Sequence, residues 1–210
     1  YQNYKYISPD ELAKYLSDPT SHQYDFLLIL DARFQYEFRG GRIIGAKNIT
    51  TFSSMIRFYD QYKDEIANGK SICIVVHCEL SSRRGPKLYD MIREYDRNKH
   101  ISQYPSLSFP DLFLLEGGYK KFYSLHSEFC IGSYVSMHDP KYVSNQEIKR
   151  CQKNYFSDYK EKYIPINLKL NFKFTSDCKI NEKVGIEGLD SQPVTITYRN
   201  NDIVNFISCY

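Results

Sequence analysis

The sequence predicts an α/β domain built on a parallel sheet covered by helices on both faces. Short apolar runs alternate with stretches of helical periodicity between residues 8 and 126, the pattern that calls for this architecture. The runs are apolar at successive positions, as strands buried on both sides are. One of them ends at a cysteine that a helix soon follows, and ligands of open α/β sheets sit just beyond the carboxyl ends of strands.

The elements follow in order. In "ISPDEL" (7–12) Ser8 suits an N-cap, Pro9 the first helical position, and Glu11 the far side of a capping box. "DFLLILD" (25–31) reads as a buried strand. Residues 52–69 carry Met55, Tyr59, Tyr62 and Ile66 at helical spacing, with Gly69 as the stop. "SICIVV" (71–76) is β-branched and apolar, a second buried strand. Residues 85–97 set Leu88, Met91, Ile92 and Tyr95 on one helical face. A third strand with a terminal turn is expected over 111–118 and a helix over 119–126.

The style changes near residue 150. Residues 144–163 read as a polar helix, "INLKLNFKF" (166–174) alternates as a half-buried strand does, and 194–207 read as two strands around an Asn-Asn-Asp turn. The expected organisation is a first domain over 1–145 and an extension over 146–210, helix first and short strands after, to which the sequence assigns no function.

Composition excludes several classes. A net charge of +3 is too small to argue for nucleic acid or an anionic membrane. No apolar stretch approaches the ~20 residues that span a bilayer, and Tyr1 opens a polar segment with no visible signal peptide. Cys73, Cys78, Cys130, Cys151, Cys178 and Cys209 form no CxxC pair. Neither a zinc site nor a redox dithiol is therefore expected, and a reducing compartment, cytoplasm or nucleus, fits. Five of these read as buried or incidental thiols; Cys78 is the exception.

Cys78 lies in "IVVHCELSSRRGP" (74–86). A turn between strand and helix aims unpaired amides inward at the positive end of the helix dipole, which makes an anion cradle and favours a thiolate. Arg84 follows after five residues, and its planar fork can hold two phosphate oxygens. Ser81 and Ser82 add hydroxyls. Nucleophile, donors and bidentate cation are the parts needed to move a phosphoryl group to sulfur.

"HCELSSRRGP" resembles the signature loop of the M-phase inducer phosphatases, dual-specificity enzymes of rhodanese-like fold that activate cyclin-dependent kinases. "YKYISPDELAKYL" (4–16), "LDARFQYEFRGGRIIGAKNI" (30–49), "YPSLSFPDLFLLEGGYKKFY" (104–123) and "CIGSYVSMHDP" (130–140) are similar to that catalytic domain, in order. The resemblance implies a three-layer fold around a central, mostly parallel sheet. It also implies roles. Cys78 attacks phosphorus and forms a phosphocysteine, which water hydrolyses. The backbone of Glu79, Leu80, Ser81, Ser82, Arg83 and Arg84 cradles the phosphate, and the Arg84 side chain clamps it. Glu79 is a candidate general acid, with a solvated loop carboxylate as the alternative. No metal or organic cofactor is implied. Arg93, Arg97 and Tyr104 match positions that dock the protein substrate, although the spacing of Arg93 and Arg97 alone fits a solvated helix face. The implied partner is a phosphoprotein, a cyclin-dependent kinase–cyclin complex.

Two positions depart from the family. Arg83 replaces the usual glutamate, which predicts a more anion-attracting mouth. Ala32 stands where the family tends to carry a second cysteine that traps the oxidised nucleophile. Cys73 lies five residues before Cys78 on an extended strand, about 16 Å away, too far for a disulfide. Peroxide is therefore expected to drive Cys78 to irreversible acids. The rival readings are a rhodanese-type arsenate reductase, which shares the loop length, a sulfurtransferase, whose loop is one residue shorter, and a non-catalytic interaction module.

Overall fold

The computed structural model describes residues 4–103, 105–144 and 146–159. The strands are β1 (Tyr6–Ile7), β2 (Phe26–Asp31), β3 (Gly41–Ile43), β4 (Lys47–Asn48), β5 (Ile72–His77), β6 (Asp111–Leu115) and β7 (Cys130–Gly132). The helices are α1 (Pro9–Ser17), α2 (Gln35–Gly40), α3 (Phe52–Gln61), α4 (Lys63–Ala67), α5 (Arg84–Lys99), α6 (Gly118–Leu125), α7 (Pro140–Ser144) and α8 (Glu147–Asn154). Five strands form a parallel sheet in the order β1-β6-β5-β2-β4. β3 and β7 pair antiparallel as a separate ribbon.

Every residue of β5 is buried, because the strand is central and both its faces are covered. Ile72, Ile74 and Val76 pack on one side with Leu88, Met91 and Ile92 of α5 and Phe52 and Met55 of α3. Cys73 and Val75 pack on the other with Leu12 of α1 and Tyr119 and Phe122 of α6. The result is the expected three-layer α/β fold, held by burial worth about 1.5–3 kcal/mol for each large apolar side chain. The strict alternation along β5 continues past its end. Cys78 belongs to the α5 side, while His77 stacks on Tyr119 at 6.1 Å on the other.

The expected N-cap of α1 holds, the Glu11 amide donating to Ser8 Oγ at 3.1 Å, but the far side of the capping box is not formed. The Glu11 carboxylate accepts from the Tyr15 hydroxyl. Elsewhere the boundaries shift. The helix expected over 52–69 divides at Tyr62, whose φ of −106° and ψ of 3° end α3 while its ring stays in the core. The third strand stops at Leu115, because the positive φ of Gly117 and Gly118 turns the chain directly into α6. The helix expected over 144–163 is shorter: it starts after Gln146, at φ 54°, as α8 and ends at Asn154, while α7 precedes it over Pro140–Ser144. The strands expected over 166–174 and 194–207 lie outside the described residues.

Residues 147–159 pack on the sheet domain. Ile148 joins Phe34 and Tyr36, and Phe156, 4% exposed, enters the α5-side core. The Asp158 carboxylate accepts from the amides of Phe52 at 2.8 Å and Ser53 at 2.9 Å, which caps the orphan donors that open α3.

A buried carboxylate ties α5 to the segment that feeds β6. Asp96 is fully buried and accepts from the amides of Ser108 and Phe109, both at 2.9 Å, and from the Tyr59 hydroxyl at 3.0 Å. Asp96→Ala strands these donors, and we expect it to lower unfolding free energy by about 3 kcal/mol. Urea unfolding measures this; a loss under about 1 kcal/mol contradicts the anchoring role.

Candidate active site

β5 delivers His77 and Cys78 to the carboxyl edge of the sheet, and α5 begins six residues later at Arg84. Backbone contacts hold the crossing from two sides. The Ala32 amide donates to His77 O at 2.8 Å. The first amides of α6, those of Tyr119 and Lys120, donate to the carbonyls of Cys78 at 2.9 Å and Glu79 at 3.0 Å. His77 is fully buried. Burial lowers its pKa despite neighbouring Asp31, and its Nδ1 stands 3.3 Å from Cys78 O.

The loop from 79 to 83 has two features of a ligand cradle. Ser81 adopts a left-handed φ of 53°, a strain that in non-glycine residues concentrates at functional sites. Its Oγ is buried without a hydrogen-bond partner in the protein. Leu80, Ser82 and Arg83 are exposed around the rim. Cys78 lies at the base, 3% exposed.

Arg84 is set by the segment after β2. Its guanidinium donates to both oxygens of Glu37, one bond measuring 3.1 Å, and lies 4.7 Å from the centre of the Phe34 ring. Glu37 is fully buried and also accepts from the Phe34 amide at 2.9 Å. Burial opposes the Arg84 cation, but the hydrogen bonds and charge of Glu37, with a further contribution from nearby Cys78, raise its pKa. Burial likewise pushes the Glu37 carboxyl up, and Arg84 only partly offsets it. The Arg84 cation is thus held by a carboxylate whose further donor is the Phe34 amide.

The remaining expected residues divide. Glu79 turns toward the Tyr134 hydroxyl and, at 3.4 Å, the Met137 amide, with one oxygen 3.7 Å from Arg84 Nη2. Arg93 is engaged within the fold, donating to the carbonyls of Phe109 at 2.8 Å and Pro110 at 3.3 Å. Arg97 is exposed on α5, and Tyr104 lies outside the described residues. Ala32 is fully buried, and Cys73, also buried, has its thiol pKa pushed up to about 12 by burial, which makes it an inert core residue. No group of His, Cys, Asp and Glu among the described residues could hold a metal ion, and no helix there is long and apolar enough to cross a membrane.

Sequence reading missed three contributors. Glu37 was hidden in an aromatic-rich stretch, where a lone acid between Tyr36 and Phe38 was the only signal. Tyr155, whose hydroxyl meets Ala32 O and Arg84 O, had none. Gly118 was signalled by the Gly-Gly doublet. At its φ of 62° a Cβ would come within 2.5 Å of Cys78 O and 2.6 Å of Glu79 O, so only glycine lets α6 abut the loop.

A family model described as a rhodanese-like domain matches residues 8–125. The M-phase inducer phosphatase 3 of Bos taurus is 37% identical over 156 residues, covering 72% of this chain and 31% of its own length. The M-phase inducer phosphatase of Drosophila melanogaster is 35% identical over 151 residues, 68% of this chain and 32% of its own length. The chain therefore spans about a third of the length of these relatives. Among solved structures, Ygr203w, a yeast protein tyrosine phosphatase of the rhodanese family, superposes with a TM-score of 0.50 at 20% identity, over 64% of this chain and 96% of its own. That likeness concerns the fold.

The two adjacent glycines share a positive φ but differ in what an added Cβ would meet. At Gly117 it meets the Lys121 side chain, Cδ at 2.6 Å and Cβ at 2.7 Å; at Gly118 it meets the backbone of the loop. Gly118→Ala should cost about 1–3 kcal/mol and exceed Gly117→Ala by at least about 1 kcal/mol in urea unfolding. Equal losses would show that α6 does not press on the loop.

Proposed function

The chain belongs to the rhodanese-like domain family and groups with its M-phase inducer phosphatases, and on that premise we propose that it is a cysteine-dependent dual-specificity protein phosphatase. The observation that carries this reading is that Cys78 opens a strained loop which ends at a charged Arg84 held by buried Glu37.

The Cys78 sulfur attacks phosphorus, the bond from phosphorus to the tyrosine or threonine oxygen breaks, and that oxygen leaves with a proton. Arg84 takes two phosphoryl oxygens in its fork, while loop amides and the Ser81 hydroxyl take the rest. Because Glu37 fixes the guanidinium before substrate arrives, little reorganisation remains for the reaction. Water then cleaves the phosphorus–sulfur bond and releases phosphate. Glu79 is kept as the candidate acid; its place beside Arg84 also makes it the group an incoming phosphate dianion must displace. Exposed Arg83 adds attraction for anions at the rim. The proposed substrate is a phosphoprotein, a cyclin-dependent kinase in complex with its cyclin. Cys73, Cys78, Cys130 and Cys151 are free thiols, which supports a reducing compartment, cytoplasm or nucleus.

The deciding experiment compares turnover of an aryl phosphate, a peptide with adjacent phosphothreonine and phosphotyrosine, thiosulfate and arsenate. We expect phosphate-ester hydrolysis, lowered about a thousandfold or more by Cys78→Ser; arsenate or thiosulfate turnover without it overturns the reading. For substrate docking, exposed Arg97 is the stronger candidate, since Arg93 is engaged by backbone carbonyls. Arg97→Ala should lower kcat/KM for the folded phosphoprotein about tenfold more than for the aryl phosphate, a difference of about 1.4 kcal/mol. Equal effects on both substrates remove α5 from docking.

A further inference from the structure

We propose that Tyr155 is a positioning residue for the phosphate-binding loop, supplied by a chain segment that lies beyond the rhodanese-like match at 8–125. The Tyr155 hydroxyl stands 3.2 Å from Ala32 O and 3.4 Å from Arg84 O. One hydroxyl thus bridges the turn after β2, whose Ala32 amide holds the His77 carbonyl, and the first residue of α5, where the loop ends.

The ring does related work. It meets Phe34 edge-on at 5.7 Å, and Phe34 is the surface on which the Arg84 guanidinium lies. The Lys87 ammonium, in the first turn of α5, sits 5.4 Å from the centre of the Tyr155 ring. Tyr155 therefore contacts the backbone of Arg84, the aromatic support of its side chain and a neighbour on its helix.

The next residue shows that this placement carries a cost. Phe156 adopts a left-handed φ of 50°, 4% exposed, with its amide donating to Thr50 O at 3.0 Å. A phenylalanine in that conformation costs about 1–3 kcal/mol. The strain lets Phe156 enter the core while Tyr155 faces the loop. Burial, opposed by the Arg84 charge, raises the Tyr155 pKa, so the hydroxyl remains a donor across the working range of the protein.

This inference rests on the phosphatase reading, and the test separates the two. Tungstate, a tetrahedral oxyanion, is titrated into the full chain by calorimetry, beside aryl phosphate hydrolysis, for wild type and Tyr155→Phe. We expect about tenfold weaker tungstate binding with unchanged stoichiometry, and a similar fall in kcat with KM within about threefold, the size of one hydrogen bond of about 1.4 kcal/mol. A merely structural role would lower the stoichiometry, through loss of folded protein, and leave the dissociation constant alone; that result, or wild-type values throughout, overturns the proposal. If wild type binds tungstate but hydrolyses no phosphate ester, the phosphatase reading fails and the dissociation constants alone decide Tyr155. If it does neither, both fall together.

Discussion

The site depends on a carboxylate placed where water cannot reach it. Glu37 has no exposed surface, and taking such a charge out of water costs several kcal/mol unless its hydrogen bonds are met. Arg84 meets them from one side and the Phe34 amide from the other. A second buried pair stands just before it in the chain: Asp31 and Arg33 are both fully buried and joined through 3.0 Å bonds, and Arg33 lies 3.8 Å from the centre of the Tyr119 ring. The residues from 31 to 37 thus convert the end of β2 into a charged framework. Its carboxylates are met before any ligand arrives, so the Arg84 guanidinium is already fixed in place by Glu37.

Much of this was legible. The strand, loop and helix from 72 to 99 could be read because one short window holds the apolar run, the nucleophile, the arginine and the helical stripe. The first helix was readable from Ser8 and Pro9. What could not be read depends on contacts far apart in the chain. β3 and β7 are three residues each and exist only because Arg42 meets Ile131. The break at Tyr62 leaves the apolar period unchanged, since its ring remains in the core. Glu37, Tyr155 and Asp96 act through partners 47, 123 and 12 residues away, a range at which spacing carries no signal. Arg93 shows the converse: the α5 sequence suggests an outward cation, while backbone carbonyls of residues 109 and 110 claim it.

The substitution at position 32 acquires a second meaning in the structure. Ala32 is sealed in the core, and its carbonyl is one of the two that Tyr155 approaches. The turn after β2 thus offers no thiol next to the nucleophile and instead takes part in holding the loop. Cys130 lies in β7, with its Sγ 3.8 Å from His126 O and its backbone opposite Ile43.

The pairing of β1 with β6 sets a schedule for biosynthesis. Tyr6 lies beside Leu114, and the amide of Leu114 donates to the carbonyl of Lys5. A ribosome adding roughly 5–20 residues per second emits the intervening chain over roughly 5–20 s. Throughout that interval the edge beside β5 has no covering strand, and the first strand has no neighbour. The glycine-led helix that braces the loop emerges later, and Tyr155 later again. A nascent chain therefore displays the Cys78 sulfur, 3% exposed in the folded domain, before the parts that confine it exist.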